Sequence, residues 1–443
     1  MPTDQCGSID VRINAVNTPV VILRSPKHGA LCIARSLGAL GVPIYVADSD
    51  RHTAVMASRY CRGGVLLADD NSSPDVLVDR LQQIARKIGK RSILIPTTDD
   101  GALFVAAFAS ELREHFIFPD QSSQLVRSLC SKREMYVLAS RLGIPTAHTL
   151  FPQCIADVVE FAKLITFPIM LKAIDGQRMW NRVGTKMLII HSEGQLIEQY
   201  KQSEDCREPN LMLQEYIPGG DDTVWMFNGY FDDNSECLFG ITGKKLRQYP
   251  PYTGATSLGI CLQNDKIDQL TRQFMKAVQY RGVLDIGFRY DIRDGQYKVL
   301  DVNPRVGATF RLFVDAGGLD VVRSLYLHMT GQPFHTSVPC WGRKWLVEDM
   351  DLVSCYGYYR DGNITLGRWL RSLKAVAETA YFDHRDPLPC IAMLANDTRE
   401  LFRRAIHKSA RSRPRSIKTA SRQQKRGRSL QKADNSEFRE GVG

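Results

Sequence analysis

No apolar run in this chain of 443 residues reaches the roughly 18 residues of a membrane-spanning helix, so the sequence predicts no such helix. The first residues, MPTDQCGSID, lack the basic and apolar regions of a secretory signal, and we therefore expect none. The 11 cysteines form no CxxC pair and show no metal-type spacing with histidine. They predict reduced thiols rather than a disulfide framework or a zinc site. Together these absences indicate a cytoplasmic protein.

Most of the chain also lacks net charge. The formal net charge is +10, and residues 403–443 alone carry 13 Lys and Arg against 3 Asp and Glu. The other 402 residues balance 45 basic with 45 acidic side chains, so the body has no electrostatic footprint for nucleic acid. The basic tail has almost no apolar residues, which predicts disorder. It could bind a polyanion such as nucleic acid, anionic lipid or a polyanionic product; a purely solubilising end is the alternative.

The first part of the chain alternates apolar strands with helical patterns. Strands are predicted at 20–23, 42–47, 92–95 and 116–118. This alternation over 19–125, after a loose lead-in at 1–18, predicts a parallel, Rossmann-like sheet. No GxGxxG follows the first strand, so the dinucleotide fingerprint is absent. Polar clusters at 25–29 and 97–100 stand where parallel strands deliver ligand-binding loops, and plain turn chemistry is the alternative.

The most distinctive pattern lies at 282–313. Even-numbered positions from Leu284 to Ile292 are all apolar, whereas most odd-numbered positions beside them are polar. This period of two predicts a half-buried strand, and a partner strand is predicted at 297–302. A turn around an Asp-Gly pair joins the two strands into a hairpin.

The loop length of this hairpin decides which side chains face each other. We predict a three-residue loop at 293–295, with its glycine in a left-handed bulge, which pairs residue 292 with residue 296. Odd-numbered residues then face odd-numbered ones, so that Asn303 lies opposite Asp285.

Oxygen ligands converge at the far end of this predicted hairpin. Asp301 lies opposite Gly287 and diagonal to Asp285, so two carboxylates and the amide of Asn303 surround a residue without a side chain. Such ligands suit a magnesium ion (Mg2+), which usually shares its coordination shell with substrate phosphates. Arg305 follows on the same side, where its guanidinium can bind anionic oxygens. An ordinary exposed hairpin face is the alternative.

The segment Asp-Val-Asn-Pro-Arg at 301–305 resembles the metal-binding signature of the ATP-grasp superfamily, usually Glu-x-Asn-Pro-Arg. The resemblance implies that Asp301 and Asn303 hold Mg2+, with Mn2+ as an alternative ion, at the phosphates of ATP. It also implies that Arg305 contacts phosphate or an acyl phosphate. The acid here is one methylene shorter than the usual glutamate. The second metal-binding acid of the family lies on the preceding strand; we assign it to Asp285, with Asp291 as the alternative.

Two upstream lysines match the ATP-phosphate lysines of the same superfamily. Lys132 stands ahead of a Gly-Ile-Pro-Thr strand start, and Lys172 follows the apolar run Phe-Pro-Ile-Met-Leu. Without the resemblance Lys132 is a solvated helix residue, whereas an ammonium in an apolar strand needs a partner. The segment 175–186 stands where the family often has a glycine-rich flap. It is bulkier here, and cations such as Lys186 could supply positive charge instead.

A second stretch resembles the ATP-grasp hinge. A strand ends in Glu215, and Pro-Gly-Gly then breaks regular structure. The resemblance implies nucleotide binding by this segment, with the backbone of Tyr216 and Ile217 on adenine. It assigns the ribose hydroxyls to Asp222, with Asp221 as the alternative. A plain turn between strands is the competing interpretation.

Three cations stand within four residues at Lys244, Lys245 and Arg247. A loop rich in Pro, Gly and Thr follows, which we expect to be too irregular for a strand. Such a loop suits a bound carboxylate or phosphate, and we select Lys244 and Arg247 as candidate catalytic residues. A solvated edge strand is the alternative.

The expected architecture is α/β and α+β. It comprises a Rossmann-like domain at 19–125, a two-lobed ATP-grasp domain at 126–335 (lobes at about 126–210 and 211–335), a small subdomain at 336–402 with a strand at 352–359 and a helix at 366–377, and a disordered tail at 403–443. The resemblance implies an ATP-dependent ligase that phosphorylates a small-molecule carboxylate and joins it to an amine, releasing ADP and phosphate. A carboxylase, a thioester-forming ligase and a non-catalytic nucleotide-binding module are the alternatives.

Overall fold

The computed structural model describes residues 13–67, 73–205 and 207–399, so the tail predicted at 403–443 lies outside the described residues. Contacts divide the chain into two units, Met1–Met393 and Leu394–Gly443. The second unit is described only at 394–399, which are helical. Three β-sheets organise the first unit.

The N-terminal sheet is parallel throughout. Its strands are β1 (Val20–Leu23), β2 (Ile44–Asp48), β3 (Cys61–Leu66), β4 (Ser92–Pro96) and β5 (Phe116–Ile117), in the order β3-β2-β1-β4-β5. Its helices are α1 (His28–Gly38), α2 (Pro74–Ile88), α3 (Asp99–Ala107) and α4 (Ala109–Leu112). Val20 and Ile22 pack in one core, and Val21 and Leu23 in another, so β1 is buried on both faces. The strand β3 was not predicted, because its Gly-Gly pair hides the apolar pattern.

A small antiparallel sheet follows. It contains β6 (Thr149–Leu150), β7 (Ile169–Ala173), β8 (Met187–Ile190) and β9 (Leu211–Glu215), in the order β6-β9-β7-β8. The helices in this part of the chain are α5 (Ser123–Cys130), α6 (Lys132–Arg141), α7 (Ile155–Leu164), α8 (Gly176–Val183) and α9 (Glu193–Ser203). Ser131 separates α5 from α6, because its side chain caps α6 by accepting from the backbone N of Glu134 at 3.3 Å. The segment where the family has a flap is mostly helix α8.

The large sheet is mainly antiparallel. It contains β10 (Val224–Phe231), β11 (Cys237–Tyr249), β12 (Ala255–Cys261), β13 (Gly282–Asp291), β14 (Gln296–Asn303), β15 (Lys344–Leu346) and β16 (Val376–Thr379). The strand order is β14-β13-β10-β11-β12-β15-β16. Its helices are α10 (Asp265–Ala277), α11 (Val321–Met329), α12 (Glu348–Arg360) and α13 (Leu366–Ser372). On β13 the even-numbered Leu284, Ile286 and Phe288 are fully buried, as the period of two predicts.

The three cations lie within β11, which continues through Tyr249, and the irregular segment expected after them is confined to the residues between β11 and β12. Two sequence-based expectations for this region are wrong. Residues 352–359 form part of helix α12 rather than a strand, because buried polar groups on one helical face anchor them to the sheet. Helix α13 ends at Ser372, and β16 begins where the helix was expected to continue.

Two further findings concern targeting and redox state. Among the described helices, none has the length and hydrophobicity needed to cross a bilayer. Of the nine cysteines in the described ranges, eight are free and Cys340 is disulfide-bonded. The expectation of thiols that are reduced throughout is therefore wrong at Cys340.

Candidate active site

The hairpin of β13 and β14 brings the predicted metal ligands together. Asp285 pairs with Asn303 and Gly287 with Asp301, as the sequence predicts. The Asn303 Nδ2 donates to Oδ2 of Asp301 at 3.2 Å. A Cβ atom at Gly287 would collide with Oδ1 of Asp301, so this carboxylate lies directly over the glycine. The absence of a side chain at position 287 is therefore a requirement of the site.

The strand pairing next to the turn of this hairpin differs from the prediction. Asp291 pairs with Gln296, which leaves a four-residue loop at 292–295, so the predicted pairing of 292 with 296 is wrong. A register shift next to Gly287 leaves residue 300 as an extra residue and restores the facing of odd-numbered residues at the site. The bulge thus lies in the strand rather than in the loop.

These side chains line a cleft of about 480 Å³. Its walls come from the loops after β1 and β4, from β11 and β12, and from the hairpin with the residues after it. Representative lining residues are Lys27, Thr98, Asp99, Lys245, Asp285 and Asp301. The polar clusters predicted at 25–29 and 97–100 therefore contribute to the same cleft as the hairpin.

Asp285 is the better placed candidate for the second metal-binding acid. Burial raises the pKa of Asp285 to about 6; Asp301 acts in the same direction, and Arg305 and Lys245 act against it. A Cβ atom at Gly307 would collide with its carboxylate, so backbone packs closely against it. A buried acid next to a second acid is an environment in which a bound divalent cation stabilises the charged form.

Asp291, the alternative acid, is occupied by protein partners. Its carboxylate is fully buried and accepts from Arg293 Nη2 at 2.6 Å and from Lys298 Nζ at 2.7 Å. The hydrogen bonds from Arg293 are the main reason that the pKa of Asp291 lies well below its usual range. Asp291 is not among the residues that line the cleft.

Arg305 connects the hairpin to the N-terminal sheet. Its Nε donates to Oδ1 of Asp99 at 2.6 Å, and its Nη2 donates to Oδ1 of Asn303 at 3.2 Å. Asp99 begins α3, directly after β4. The guanidinium is therefore held at the cleft by one acid and one amide from opposite walls.

The three predicted phosphate lysines act on one another electrostatically. Lys132 Nζ donates to the carbonyl of Ala173 at 3.0 Å, and Lys172 Nζ donates to Oε1 of Gln214 at 2.6 Å. Burial lowers the pKa of Lys172 to about 8, and Lys132 contributes in the same direction. Burial also lowers the pKa of Lys132, where Lys186 lowers it further and Asp301 opposes. The structure thus brings Lys132 within electrostatic reach of Lys172, Lys186 and Asp301.

The candidate hinge residues 215–217 differ in whether other parts of the protein already occupy their side chains. Glu215 accepts from the backbone N of His148 at 3.1 Å, from Arg293 at 2.5 Å and from Lys298 at 3.3 Å. Its carboxylate is thus occupied by protein donors. Ile217 is buried, whereas Tyr216 is partly exposed, so the linker has one anchored and one accessible side chain.

The two acids after the hinge differ in their availability. Asp221 accepts from Gln248 Nε2 at 2.8 Å and from the hydroxyl of Tyr358, which ties it to β11 and α12. The side chain of Asp222 is exposed. Asp222 is therefore the acid that remains accessible to a ligand.

The structure does not bring Lys244 and Arg247 into the cleft. Lys244 pairs with Trp225, and its Nζ lies 5.3 Å from the centre of that ring, on the opposite face of the sheet from Gly287. Arg247 is buried, and its Nε and Nη2 donate to Asp351 at 2.8 Å and 2.9 Å. Both residues were selected because they belong to a cluster of cations before an irregular loop, and a cluster alone does not show which face of the sheet each side chain takes.

Among the three cations of β11, Lys245 is the one that reaches the cleft, although it was not selected from the sequence. Its Nζ donates to the carbonyl of Gly254 at 3.0 Å. Burial lowers the pKa of Lys245, while Asp301 and then Asp285 raise it. The signal that could have identified it is the alternation of side chains along β11, because Lys245 shares a face with Gly243 and thus with Gly287.

The donor set at the hairpin fits a hard cation that keeps further ligands. Within residues 13–67, 73–205 and 207–399, no three His, Cys, Asp or Glu side chains form a metal-binding group. The hairpin offers two carboxylates and one amide, which leaves room for phosphate oxygens and water around Mg2+.

Part of the chain is similar in sequence to a known ligase. No protein-family model matches the chain. A D-aspartate ligase from Enterococcus faecium (strain Aus0004) is 25% identical over 249 residues, which are 53% of this chain and 58% of that enzyme. The chain therefore spans less than two thirds of the length of this relative.

Solved structures show the fold. The N5-carboxyaminoimidazole synthetase of Staphylococcus aureus complexed with ADP is 12% identical, with a TM-score of 0.58 over 80% of this chain and 89% of that one. A biotin carboxylase–β,γ-ATP complex from Campylobacter jejuni is 15% identical, with a TM-score of 0.58 over 74% and 75%. The chain has the ATP-grasp fold.

In this ATP-grasp fold the candidate residues come from different sheets. Lys172 lies on β7 of the small sheet and Lys132 begins the helix before it, whereas Asp285, Asp301 and Asn303 lie on the large sheet. The candidate cations and the candidate oxygen ligands thus come from separate sheets.

Proposed function

We propose that this ATP-grasp protein is an ATP-dependent ligase that activates a carboxylate as an acyl phosphate and joins it to an amine. The observation that carries the proposal is the cleft in which Asp285 and Asp301 face Lys245 and Arg305. Paired acids for a cation, with separate cations for anionic groups, are the components that phosphoryl transfer requires. The reaction named for the D-aspartate ligase relative supports the carbon–nitrogen bond-forming class.

We assign the nucleotide to the following groups. Mg2+ would be held by Asp285, Asp301 and Asn303, the phosphates by Lys132, Lys172 and Lys186, adenine by the backbone of Tyr216 and Ile217, and ribose by Asp222. When bound, the ion would neutralise and align the phosphates; Mn2+ accepts the same oxygen ligands. Glu215 supports this hinge by binding Arg293 and Lys298 rather than by touching the nucleotide.

The proposed reaction has two steps. A carboxylate oxygen of the substrate attacks the γ-phosphorus, and the bond from that phosphorus to the departing ADP oxygen breaks. The amine nitrogen then attacks the acyl carbon, phosphate leaves, and the nitrogen loses a proton. Arg305 and Lys245 supply fixed positive charge beside the anionic groups, and Asp99 orients the guanidinium of Arg305.

The parts of the chain receive the following roles. We assign 19–125 to a Rossmann-like domain that presents substrate-binding loops, 126–335 to the nucleotide-binding lobes, 336–402 to an attached subdomain, and 403–443 to a disordered tail. The substrates are small molecules, and the cytoplasm is the proposed compartment. Lys27 and Thr98, on loops of the N-terminal sheet that line the cleft, are the candidates for contacting the carboxylate or the amine.

The test is ADP release with a panel of carboxylates and amines, with D-aspartate as the first carboxylate because it is named for the relative. We expect ADP release that requires Mg2+, a carboxylate and an amine together. Asp301→Asn should abolish this release while circular dichroism shows a retained fold. Calorimetric binding of MgATP without ADP release over the whole panel would contradict the ligase and favour a non-catalytic module.

A further inference from the structure

Helix α12 has the reverse of the usual polarity of a surface helix. Its buried face carries Asp351, Ser354 and Tyr358, which are polar. Its exposed face carries Leu352, Val353, Tyr356 and Tyr359, which are apolar or aromatic. A helix at the surface of a protein normally buries its apolar stripe, so this exposed stripe requires an explanation.

The buried contacts fix this orientation. Asp351 accepts from Arg247 at 2.8 Å and 2.9 Å and from Ser257 Oγ at 3.1 Å. Ser354 Oγ donates to the carbonyl of Gln248 at 2.7 Å. A rotation of α12 that buried its apolar side chains would bring Asp351 and Ser354 to the surface. It would also leave the buried charge of Arg247 without its partner. The exposure of the apolar face is therefore built into the packing of α12.

Helix α13 extends the apolar exposure. The indole Nε1 of Trp369 donates to Oδ2 of Asp351 at 2.9 Å, which attaches α13 to α12. Leu366 and Leu370 are exposed on either side of this tryptophan in sequence. We define the α12–α13 surface as six side chains that are 55–69% exposed, namely Leu352, Val353, Tyr356, Tyr359, Leu366 and Leu370.

Cations accompany these apolar side chains. From position 348 to 374 the sequence contains four cations, Arg360, Arg368, Arg371 and Lys374, and four acids, Glu348, Asp349, Asp351 and Asp361. All four cations are exposed, whereas Asp361 alone of these acids is exposed. The exposed side chains of the segment thus combine aliphatic groups, tyrosines and an excess of positive charge.

We propose that the α12–α13 surface docks this protein on an anionic phospholipid membrane. The aliphatic side chains would enter the boundary between headgroups and acyl chains, where tyrosine rings are also favoured. The arginines and the lysine would bind anionic headgroups. The strongly basic sequence of 403–443 supplies a second electrostatic attraction, and two weak signals together give stable membrane binding.

Two other partners for the α12–α13 surface, a second copy of the chain and a nucleic acid, match its side chains less well. In a symmetric dimer the same surface meets its own copy, so the excess cations would face like charges. A nucleic acid would satisfy the cations but would leave the aliphatic side chains exposed to water. An anionic membrane is the partner that covers both chemical features at once.

The test is co-sedimentation of the full chain with two kinds of vesicle. One contains phosphatidylcholine and phosphatidylglycerol, and the other contains phosphatidylcholine alone. We expect binding to the anionic vesicles that weakens at high salt, and little binding to the neutral ones. The double variant Leu352→Ser and Tyr356→Ser should bind the anionic vesicles at least about tenfold more weakly, because it removes two inserting side chains.

A matched control uses exposed apolar residues elsewhere. Leu164 and Ile292 are 79% and 76% exposed, and their double change to Ser should leave vesicle binding unchanged. A second variant, Arg368→Glu with Arg371→Glu, should also weaken binding if α13 contacts the headgroups. Circular dichroism checks the fold of each variant.

Three outcomes would overturn the proposal. They are absence of vesicle binding, binding that the Leu352 and Tyr356 changes leave intact, and a dimer in sedimentation velocity that those changes dissociate. The second outcome would assign the binding to the basic tail alone, and the third would assign the surface to a second copy of the chain. ADP release in solution is independent of all three.

Discussion

Arg305 donates its Nε to Oδ1 of Asp99 at 2.6 Å and thereby connects two segments that lie 206 residues apart in the chain. Asp99 is 48% exposed and Arg305 is 18% exposed, so the pair lies at the cleft rather than in the core. This ion pair holds the guanidinium of Arg305 beside the proposed metal site, where it keeps its positive charge. The contact gives the N-terminal sheet a direct part in the proposed chemistry.

We predict that Asp99→Asn lowers kcat by roughly tenfold to a hundredfold, because a charge-assisted hydrogen bond that orients Arg305 is weakened. The melting temperature should change little, since a partly exposed ion pair contributes little stability. Steady-state ADP release and thermal unfolding measure the two effects. Asp79→Asn, at an exposed position of helix α2, is the control. Equal kinetics for the two variants would show that Asp99 does not position Arg305.

A second prediction concerns Gly287, because a Cβ atom there collides with the carboxylate of Asp301. Gly287→Ala should weaken MgATP binding at least about tenfold, although alanine is otherwise the better residue in a strand interior. Calorimetric titration measures the affinity. Gly194→Ala, in helix α9 with open space around the new methyl group, is the control. Unchanged MgATP affinity in Gly287→Ala would remove Asp301 from the metal site.

Lys244 and Lys245 form a matched pair for testing which face of β11 binds substrate. Lys245→Ala should reduce kcat/KM by about a hundredfold or more, because a buried cation at the cleft is lost. Lys244→Ala should stay within about threefold of the wild type, since it loses one partly exposed cation–π contact. Steady-state kinetics compare the two. The reverse order of effects would return the assignment to Lys244.

A pH dependence follows from Lys172, whose pKa burial lowers to about 8. A lowered lysine pKa means that the ammonium is charged below about pH 8 and loses its proton above it. MgATP affinity should therefore be greatest between about pH 6, the pKa of the proposed metal ligand Asp285, and pH 8, and should fall by about tenfold per pH unit above pH 8. Lys172→Arg keeps its charge throughout, so its affinity should not show the alkaline fall. An identical alkaline fall in that variant would identify a different titrating group.

The buried ion pair of Arg247 and Asp351 predicts a stability effect rather than a catalytic one. Asp351→Asn should lower the free energy of unfolding by about 3–5 kcal/mol, because Arg247 keeps an uncompensated buried charge. Denaturant unfolding followed by circular dichroism measures it. Glu160→Gln breaks the exposed pair with Lys163 and should change stability by less than about 0.5 kcal/mol. Comparable small changes in both variants would contradict a structural role for Arg247.

The sequence predicted which side chains of the hairpin lie together because alternation along a strand is a strong local signal. Asp285, Asp301 and Asn303 share a face as expected, and Gly287 separates the acids. The loop length was predicted incorrectly, since a bulge in the middle of β14 leaves no mark in the residue pattern. The predicted strand pairing was therefore correct at the candidate site and wrong next to the turn.

Other errors arose where tertiary contacts override local patterns. The cations of β11 were selected as a cluster, so their alternation along the strand was not used and Lys245 was missed. In α12 the apolar residues are exposed and the polar ones are buried, which inverts the rule by which a surface helix is recognised. The partners that invert it, such as Arg247, lie about a hundred residues away in sequence.

The cleft is assembled from segments that lie far apart in the chain: the loops after β1 and β4 form one wall, and the hairpin of β13 and β14 forms another. Neither segment contains a complete binding site, so a chain that has folded only its first sheet holds no functional pocket. Because such distant contacts form slowly, the ability to bind MgATP should appear late in refolding, after most helices have formed. Binding of MgATP would therefore report that the protein has folded completely.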